Sequence, residues 1–302
     1  MQYAPIIIFA FNRPDALKKS VESLQKNAEA CESDLYVFVD GPRSHKEGEA
    51  EQVQAVRDFV TSLSGFKSVT TCFSEANKGL GPSIIAGVSE VIEKHGRAIV
   101  LEDDLILTTN FLSFMNQSME KYENVKEVFS ICGYSLRLDL PKDYAFDAYF
   151  CPRSSSWGWA TWKDRWSSVD FKLENWDAVD RNAKQFNKWG GSDCFGMLKG
   201  WREGRNKSWA IRFVYSQFCQ GKLSLFPYKS LVDNGGFDGN GTNCKSWSRY
   251  KCTMDITGKK TFRLPEEVAV NKDIRSSYLW YYGIPIRIWS RIMYKYYEWF
   301  KR

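Results

Sequence analysis

The sequence predicts an α/β fold, a sheet of parallel strands covered by helices, with an amphipathic helical tail behind it. Three observations predict it. Short apolar runs alternate with helically spaced ones through residues 4–105. Turn residues and charges gather where the apolar runs stop. From Pro285 onward, apolar and cationic side chains separate onto different sides of one helix. The chain has 302 residues, 43% apolar and 26% charged, which suits one large or two ordinary domains and excludes disorder as the main state. No run of about 18 uncharged apolar residues occurs, so a spanning helix is not expected. The N-terminal run lacks a basic leader and a small-residue cleavage site, so the expected location is the cytoplasm.

Taken in order, residues 4–11 form the first expected strand, and the stretch after Pro14 carries Leu17, Val21, Leu24 and Ala28 at helical spacing. Residues 35–39 form the second strand, stopped by Asp40-Gly41-Pro42. Val53, Val56, Val60 and Leu63 mark a second helix, and residues 69–73 a third strand. Gly81-Pro82-Ser83 opens a third helix with Ile84, Ile85, Val88 and Ile92; residues 98–101 are a fourth strand and residues 108–122 a further helix. In sheets built this way, ligands bind at the carboxyl ends of the strands. Those ends carry Phe11-Asn12-Arg13, Asp40-Gly41 and Glu102-Asp103-Asp104. No G-x-G-x-x-G follows the first strand and no G-x-x-x-x-G-K-[ST] occurs, which excludes a typical dinucleotide fingerprint and a P-loop.

Charge is uneven. Residues 1–150 hold 15 Lys and Arg against 22 Asp and Glu, net −7, whereas residues 151–302 hold 27 against 14, net +13. All twelve tryptophans lie in the second half. A basic, indole-rich half suits sugar, a membrane surface or nucleic acid, and the same indoles also serve as core. The eight cysteines never form C-x-x-C and are expected as reduced, buried thiols. Two histidines, His45 and His95, leave little room for histidine-based catalysis or metal binding.

Three consecutive carboxylates after an apolar strand repel one another unless a cation lies among them. One reading is a site for magnesium or manganese, which prefer oxygen ligands and take several from a substrate diphosphate. The other is a solvated acidic turn capping the following helix.

The series Pro5-Ile-Ile-Ile-Phe-Ala-Phe-Asn-Arg-Pro14, Val37-Phe-Val-Asp-Gly41, Asn77-Lys-Gly-Leu-Gly81 and Val100-Leu-Glu-Asp-Asp-Leu105 resembles the nucleotide-sugar half of a GT-A-fold glycosyltransferase. It is similar to family 2 transferases and to the N-acetylglucosaminyltransferase I family, whose D-x-D equivalent is E-D-D. Ser156-Trp-Gly-Trp-Ala-Thr-Trp162, Ser208-Trp-Ala-Ile-Arg212 and Asn234-Gly-Gly-Phe-Asp-Gly-Asn-Gly-Thr242 resemble bacterial sugar transferases of surface-polysaccharide pathways, lipopolysaccharide included. The resemblance implies a Rossmann-like mixed sheet flanked by helices. It divides the chain into a nucleotide-sugar half at 1–140, an acceptor half at 141–270 and an amphipathic basic and aromatic tail at 271–302.

It also implies roles. Phe11, Asn12, Arg13 and Asp40 hold uracil and ribose, and Asn77, Lys78 and Gly79 line the same pocket. Asp104 is the direct ligand of Mn2+ or Mg2+, while Glu102 and Asp103 reach ribose, donor sugar or metal-bound water. An inverting transferase needs a carboxylate to deprotonate the acceptor hydroxyl. Where the family places an acid after a tryptophan, this chain has Ala210 after Trp209. Asp238, in a glycine-rich loop, is therefore the first candidate base, with Asp193 and Glu203 behind it. Trp157, Trp159, Trp162 and Trp209 are candidate acceptor platforms, with core packing as the alternative.

In the tail, Trp289, Ile292, Met293, Tyr296, Trp299 and Phe300 fall on one helical face and Arg287, Arg291, Lys295 and Arg302 on another. Such a helix either lies on a membrane surface or docks on its own domain. The expected function is metal-dependent transfer of a hexose or N-acetylhexosamine from a nucleotide donor, expected to be UDP-linked, to a glycan or lipid-linked glycan at the inner face of the membrane, with inversion and without nucleic acid. The rivals are a non-catalytic carbohydrate or nucleic-acid binder and a nucleotidyltransferase.

Overall fold

The computed structural model describes residues 2–138, 141–235, 250 and 252–300. The first half alternates as expected: β1 (Ile6–Ala10), α1 (Pro14–Gln25), β2 (Asp34–Val39), α2 (Glu49–Thr61), β3 (Ser68–Phe73), α3 (Leu80–His95) and β4 (Arg97–Glu102). β1 and the apolar centre of β4 are buried on both faces, which is why they read as continuous apolar runs without alternation. A short β5 (Leu105–Leu107) then precedes α4 (Phe111–Tyr122), so the helix expected from residue 108 starts a few residues later. Pro14 opens α1, where its missing N–H costs no hydrogen bond and its fixed φ suits the first turn.

The second half adds β6 (Val128–Cys132), β7 (Ala148–Cys151), β8 (Trp159–Trp162), α5 (Lys163–Ser167), α6 (Trp176–Gly190), α7 (Cys194–Arg202), α8 (Ala210–Cys219), β9 (Leu223–Pro227) and β10 (Val232–Asn234). The tail is two helices, α9 (Lys272–Tyr281) and α10 (Ile284–Phe300), so the amphipathic pattern seen from Pro285 is one helix of a pair.

One eight-stranded sheet runs through both halves in the order β3-β2-β1-β4-β8-β6-β9-β7. β1 pairs parallel with β2 and β4, and β2 with β3, giving the expected Rossmann-like start; β8 runs antiparallel between β4 and β6, and β7 antiparallel to β9. The fold class is therefore a mixed α/β sheet flanked by helices, with a C-terminal helical tail. The chain passes from β1 out to β3 and returns to β4 on the other side of β1. The crevice beyond the carboxyl ends of β1 and β4 is the topological switch point, where open α/β sheets bind ligands.

Two cores cover the sheet. Ile6, Ile8, Ile99 and Leu101 face α1 and α4, while Ile7, Phe9, Ala98 and Val100 face α3 and an aromatic group of Trp159, Trp166, Trp209 and Phe213. A third core of Phe186, Leu198, Ile211 and Tyr215 joins α6, α7 and α8.

Candidate active site at the strand ends

Register brings the sequence-selected strand ends together. Phe9 lies opposite both Phe38 and Glu102, and the Asp40 amide donates to the Ala10 carbonyl at 3.0 Å. The loop after β1, the turn after β2 and the acids closing β4 therefore share one edge of the sheet.

Arg13 spans the switch point. Its Nη1 donates to Asp104 Oδ2 at 2.9 Å, and its Nη2 pairs with Asp103 Oδ1. The cation that three adjacent acids call for is thus, in the protein itself, a guanidinium. Asp103 Oδ2 also accepts from the Phe11 amide at 3.4 Å. Burial works against the Arg13 charge, and its two carboxylate partners more than reverse this. Burial pushes Asp103 up to about 6, with Arg13 opposing and Asp104 adding to the rise. Glu102 is half-buried; desolvation of its carboxyl, then the charges of Asp104 and Asp103, push it up to about 8. The cluster can accept further positive charge.

Asp40 organises the neighbouring loop. Its Oδ1 accepts from the amides of Gly41 and Lys78, both at 2.9 Å, and its Oδ2 from the Gly79 amide at 2.8 Å and Asn77 Nδ2 at 3.1 Å. These four donors fill the acceptor capacity of one carboxylate, so Asp40 shapes the pocket wall. Two glycines make the arrangement possible. Gly79 has φ +81, a left-handed conformation, and a Cβ on Gly41 would meet the Ala76 backbone at 2.5 Å. Lys78 points outward and is exposed.

A supporting layer was not read from the sequence. Arg43 pairs through its guanidinium and amide with Glu49, whose Oε1 also accepts from Asn12 Nδ2 at 3.4 Å; Gln52 Oε1 accepts from the same Asn12 nitrogen at 3.1 Å. Arg43 also lies 5.5 Å from the centre of the Phe11 ring. Glu49, its side chain fully covered, is held down to about 2, first by its hydrogen bonds to Arg43. The available signal was Arg43 itself, a cation three residues beyond the Asp40 that follows β2.

Two of the candidate bases are already paired with cations. Asp193 Oδ1 accepts from Arg153 Nη1 at 2.8 Å in a largely buried pair, and Glu203 is exposed with Arg205 and Lys199. Their cationic partners are other than Arg13, which pairs with Asp103 and Asp104. Asp238 lies outside the described residues. β10 pairs antiparallel with β5, and the Gly235 amide donates to the Asp104 carbonyl at 2.8 Å, so Gly235 itself adjoins the acids.

The expected indole platform is corrected by packing. β8 is extended, but Trp159 and Trp162 are three residues apart and so occupy opposite faces of the sheet. Trp159 is 2% exposed among Trp166, Trp209 and Phe213, and Trp162 is covered by the Arg165 guanidinium at 4.3 Å. Trp209 belongs to the same buried aromatic group. Trp157 alone of the four is half-buried, edge-on to Tyr134 and Tyr250. Likewise, Cys31 and Cys219 are exposed thiols, against the expectation that the cysteines are buried.

No protein-family model matches the chain, and no curated protein matches it. Among solved structures, it is similar to S. aureus TarS 1-349 at 10% identity and a TM-score of 0.42, covering 77% of this chain and 61% of that one. A structure of S. aureus TarS matches at 10% identity and 0.42, covering 76% and 36%. A mannosyltransferase from Pyrobaculum calidifontis, in complex with GDP-Man and Mn2+, matches at 11% and 0.36, covering 54% and 46%. The chain thus spans less than two thirds of each of these three. At such values the likenesses carry no conclusion about activity.

Proposed function

We propose that the chain is a GT-A-type glycosyltransferase that moves a hexose or N-acetylhexosamine from a nucleotide donor, UDP-linked, to a glycan or lipid-linked glycan at the inner face of a membrane, with inversion. One observation carries the reading: Arg13, from the loop after β1, meets Asp103 and Asp104, from the end of β4, across the switch point of the sheet. On this reading residues 1–140 hold the donor, 141–270 the acceptor and 271–302 the lipid surface.

The residues fit a divalent cation. Asp104 offers a hard oxygen donor beside a group already arranged around positive charge. Among the described residues no three His, Cys, Asp or Glu side chains form a group that could hold a metal ion by themselves; Mg2+ or Mn2+ at Asp104 would take its other ligands from diphosphate and water. Bound by Asp104, the ion would supply positive charge to the departing nucleoside diphosphate.

The remaining steps belong to the chain. Phe11 and Asn12 border the base and ribose, and Asn77, Lys78 and Gly79, fixed by Asp40, form the facing wall. Arg13 turns its donors from the carboxylates to phosphate oxygens, for which a planar guanidinium is well matched. Asp238 takes the proton of the acceptor hydroxyl as that oxygen attacks the anomeric carbon and the diphosphate leaves. Trp157, the half-buried indole, borders the acceptor sugar.

The test is turnover of nucleotide sugars with a glycan acceptor. Asp104→Ala should lower turnover by about a thousandfold in a protein that still folds, with a melting temperature lowered by loss of the Arg13 pair. Release of pyrophosphate from a nucleoside triphosphate given together with a sugar 1-phosphate, with no transfer from nucleotide sugars, would mark a nucleotidyltransferase. Wild-type turnover in folded Asp104→Ala would overturn the assignment of Asp104.

A further inference from the structure

α10 presents an apolar strip that the transfer reaction does not use. Ile284, Ile288 and Ile292 succeed one another every four residues, and Trp289 precedes Ile292 by three, so all four lie along one side of the helix. They are 61%, 53%, 54% and 53% exposed. Tyr296 and Trp299 continue the strip toward the C-terminus, Trp299 at 75% exposure. Ile286, Ser290, Met293 and Tyr294, on the other side, are half-buried. Monomers seldom leave this much contiguous apolar surface in water without a use for it.

Cations border the strip. Arg291 and Lys295 are exposed at its edge, and residues 284–302 contain five Lys and Arg against the single Glu298. No described helix is long and apolar enough to cross a membrane. An amphipathic helix with isoleucines, indoles and a cationic edge suits the plane of an interface, where its apolar side enters the acyl boundary and its cations meet lipid phosphates. Pairing with a second copy of α10 would bring like-charged edges together.

The base of α10 is fastened to the body of the protein. Arg287 Nη1 donates to Ser192 Oγ at 3.1 Å, and Ser192 Oγ donates to the Tyr282 carbonyl at 2.6 Å. Tyr282 packs against Gly191, with its ring 4.1 Å from the Arg153 guanidinium, and Tyr278 donates its hydroxyl to the Arg153 carbonyl at 2.9 Å. A surface that binds α10 therefore takes hold of the α6–α7 turn and of the segment leading from Arg153 to Trp157.

We propose that the exposed strip of α10 is a docking surface for an anionic bilayer, fixed through the Tyr282–Arg287 junction so that bound lipid faces the acceptor half. This rests on the transferase reading only for what lies at the lipid surface.

The experiment is co-sedimentation of the full chain, without donor or acceptor, with vesicles of zwitterionic lipid and with vesicles containing an anionic phospholipid. Binding should favour the anionic vesicles by about tenfold or more and weaken with salt. Ile288→Glu with Ile292→Glu, both at exposed positions, should abolish it with the melting temperature retained. Arg291→Glu with Lys295→Glu should weaken it on the order of tenfold. Equal binding to both vesicle types, binding unaffected by either pair, or a dimer in solution that Ile288→Glu dissociates would overturn the proposal. Vesicle binding without any transfer activity would sink the transferase reading and leave the docking surface standing; transfer without vesicle binding would do the reverse.

Discussion

Glu102, Asp103 and Asp104 lie at the carboxyl end of β4, where Asp103 and Asp104 are buried as an ion-paired group, while Trp159, Trp162 and Trp209, equally conspicuous in the sequence, are buried in apolar packing against the sheet. The difference follows from what each group tolerates. A buried carboxylate needs a cation, so the acids collect where Arg13 and a ligand can reach them. An indole carries enough apolar surface to gain from burial, and Trp162 is buried although its Nε1 has no hydrogen-bond partner, so composition alone does not say which side of the surface an indole occupies. The tail sharpens the contrast: Trp280, Trp289 and Trp299 are 58%, 53% and 75% exposed.

That contrast predicts mutations that separate chemistry from stability. The largest effect belongs to the acid assigned as base: Asp238→Asn should lower turnover by about a hundredfold to ten-thousandfold with donor affinity nearly unchanged. Retained turnover there, with loss in a folded Asp193→Asn, would transfer the role to Asp193. For the indoles the order is reversed. Trp159→Ala should cost about 3–5 kcal/mol in denaturant unfolding, and Trp289→Ala should stay within about 0.5 kcal/mol. Equal costs would break the division between core and surface tryptophans. The last effect concerns Glu49 and is read from pH. Its folded-state value of about 2 lies below its ordinary 4.5, so its stabilisation is complete above pH 4.5 and is lost as pH falls toward 2. Unfolding midpoints of the wild type and Glu49→Gln should therefore differ at neutral pH and converge over that acid window; a constant gap would remove the Arg43 pairing as its cause.

The strand ends were legible because a parallel strand buried on both faces appears as an unbroken apolar run, so the first polar residues after it mark the ligand edge. Phe11 to Arg13, Asp40 and Glu102 to Asp104 followed from that rule. The partners across the edge did not. That Arg13 bridges the acids, that Asp40 ties down Asn77 to Gly79, and that Glu49 supports Asn12 through long-range hydrogen bonds are matters of three-dimensional register. β5 was missed because three residues are too few to show a period, and it exists by pairing with β10 more than a hundred residues later. In the tail, Ile284 and Ile288 escaped the face drawn from Trp289 onward; the side that α10 turns to the body depends on the junction at Tyr282.

The central claim is that the edge between β1 and β4 binds a nucleotide diphosphate sugar. It is tested most directly by the melting temperature of the wild type and of Asp104→Ala with UDP- and GDP-sugars, with and without Mn2+. Ligand binding to the folded state should raise the wild-type melting temperature by about the amount set by 2.7 kcal/mol at a hundredfold excess over the dissociation constant. The account predicts that rise for a UDP-sugar with Mn2+ and its loss in Asp104→Ala. A wild-type protein that no nucleotide sugar stabilises, with or without the metal, would contradict it.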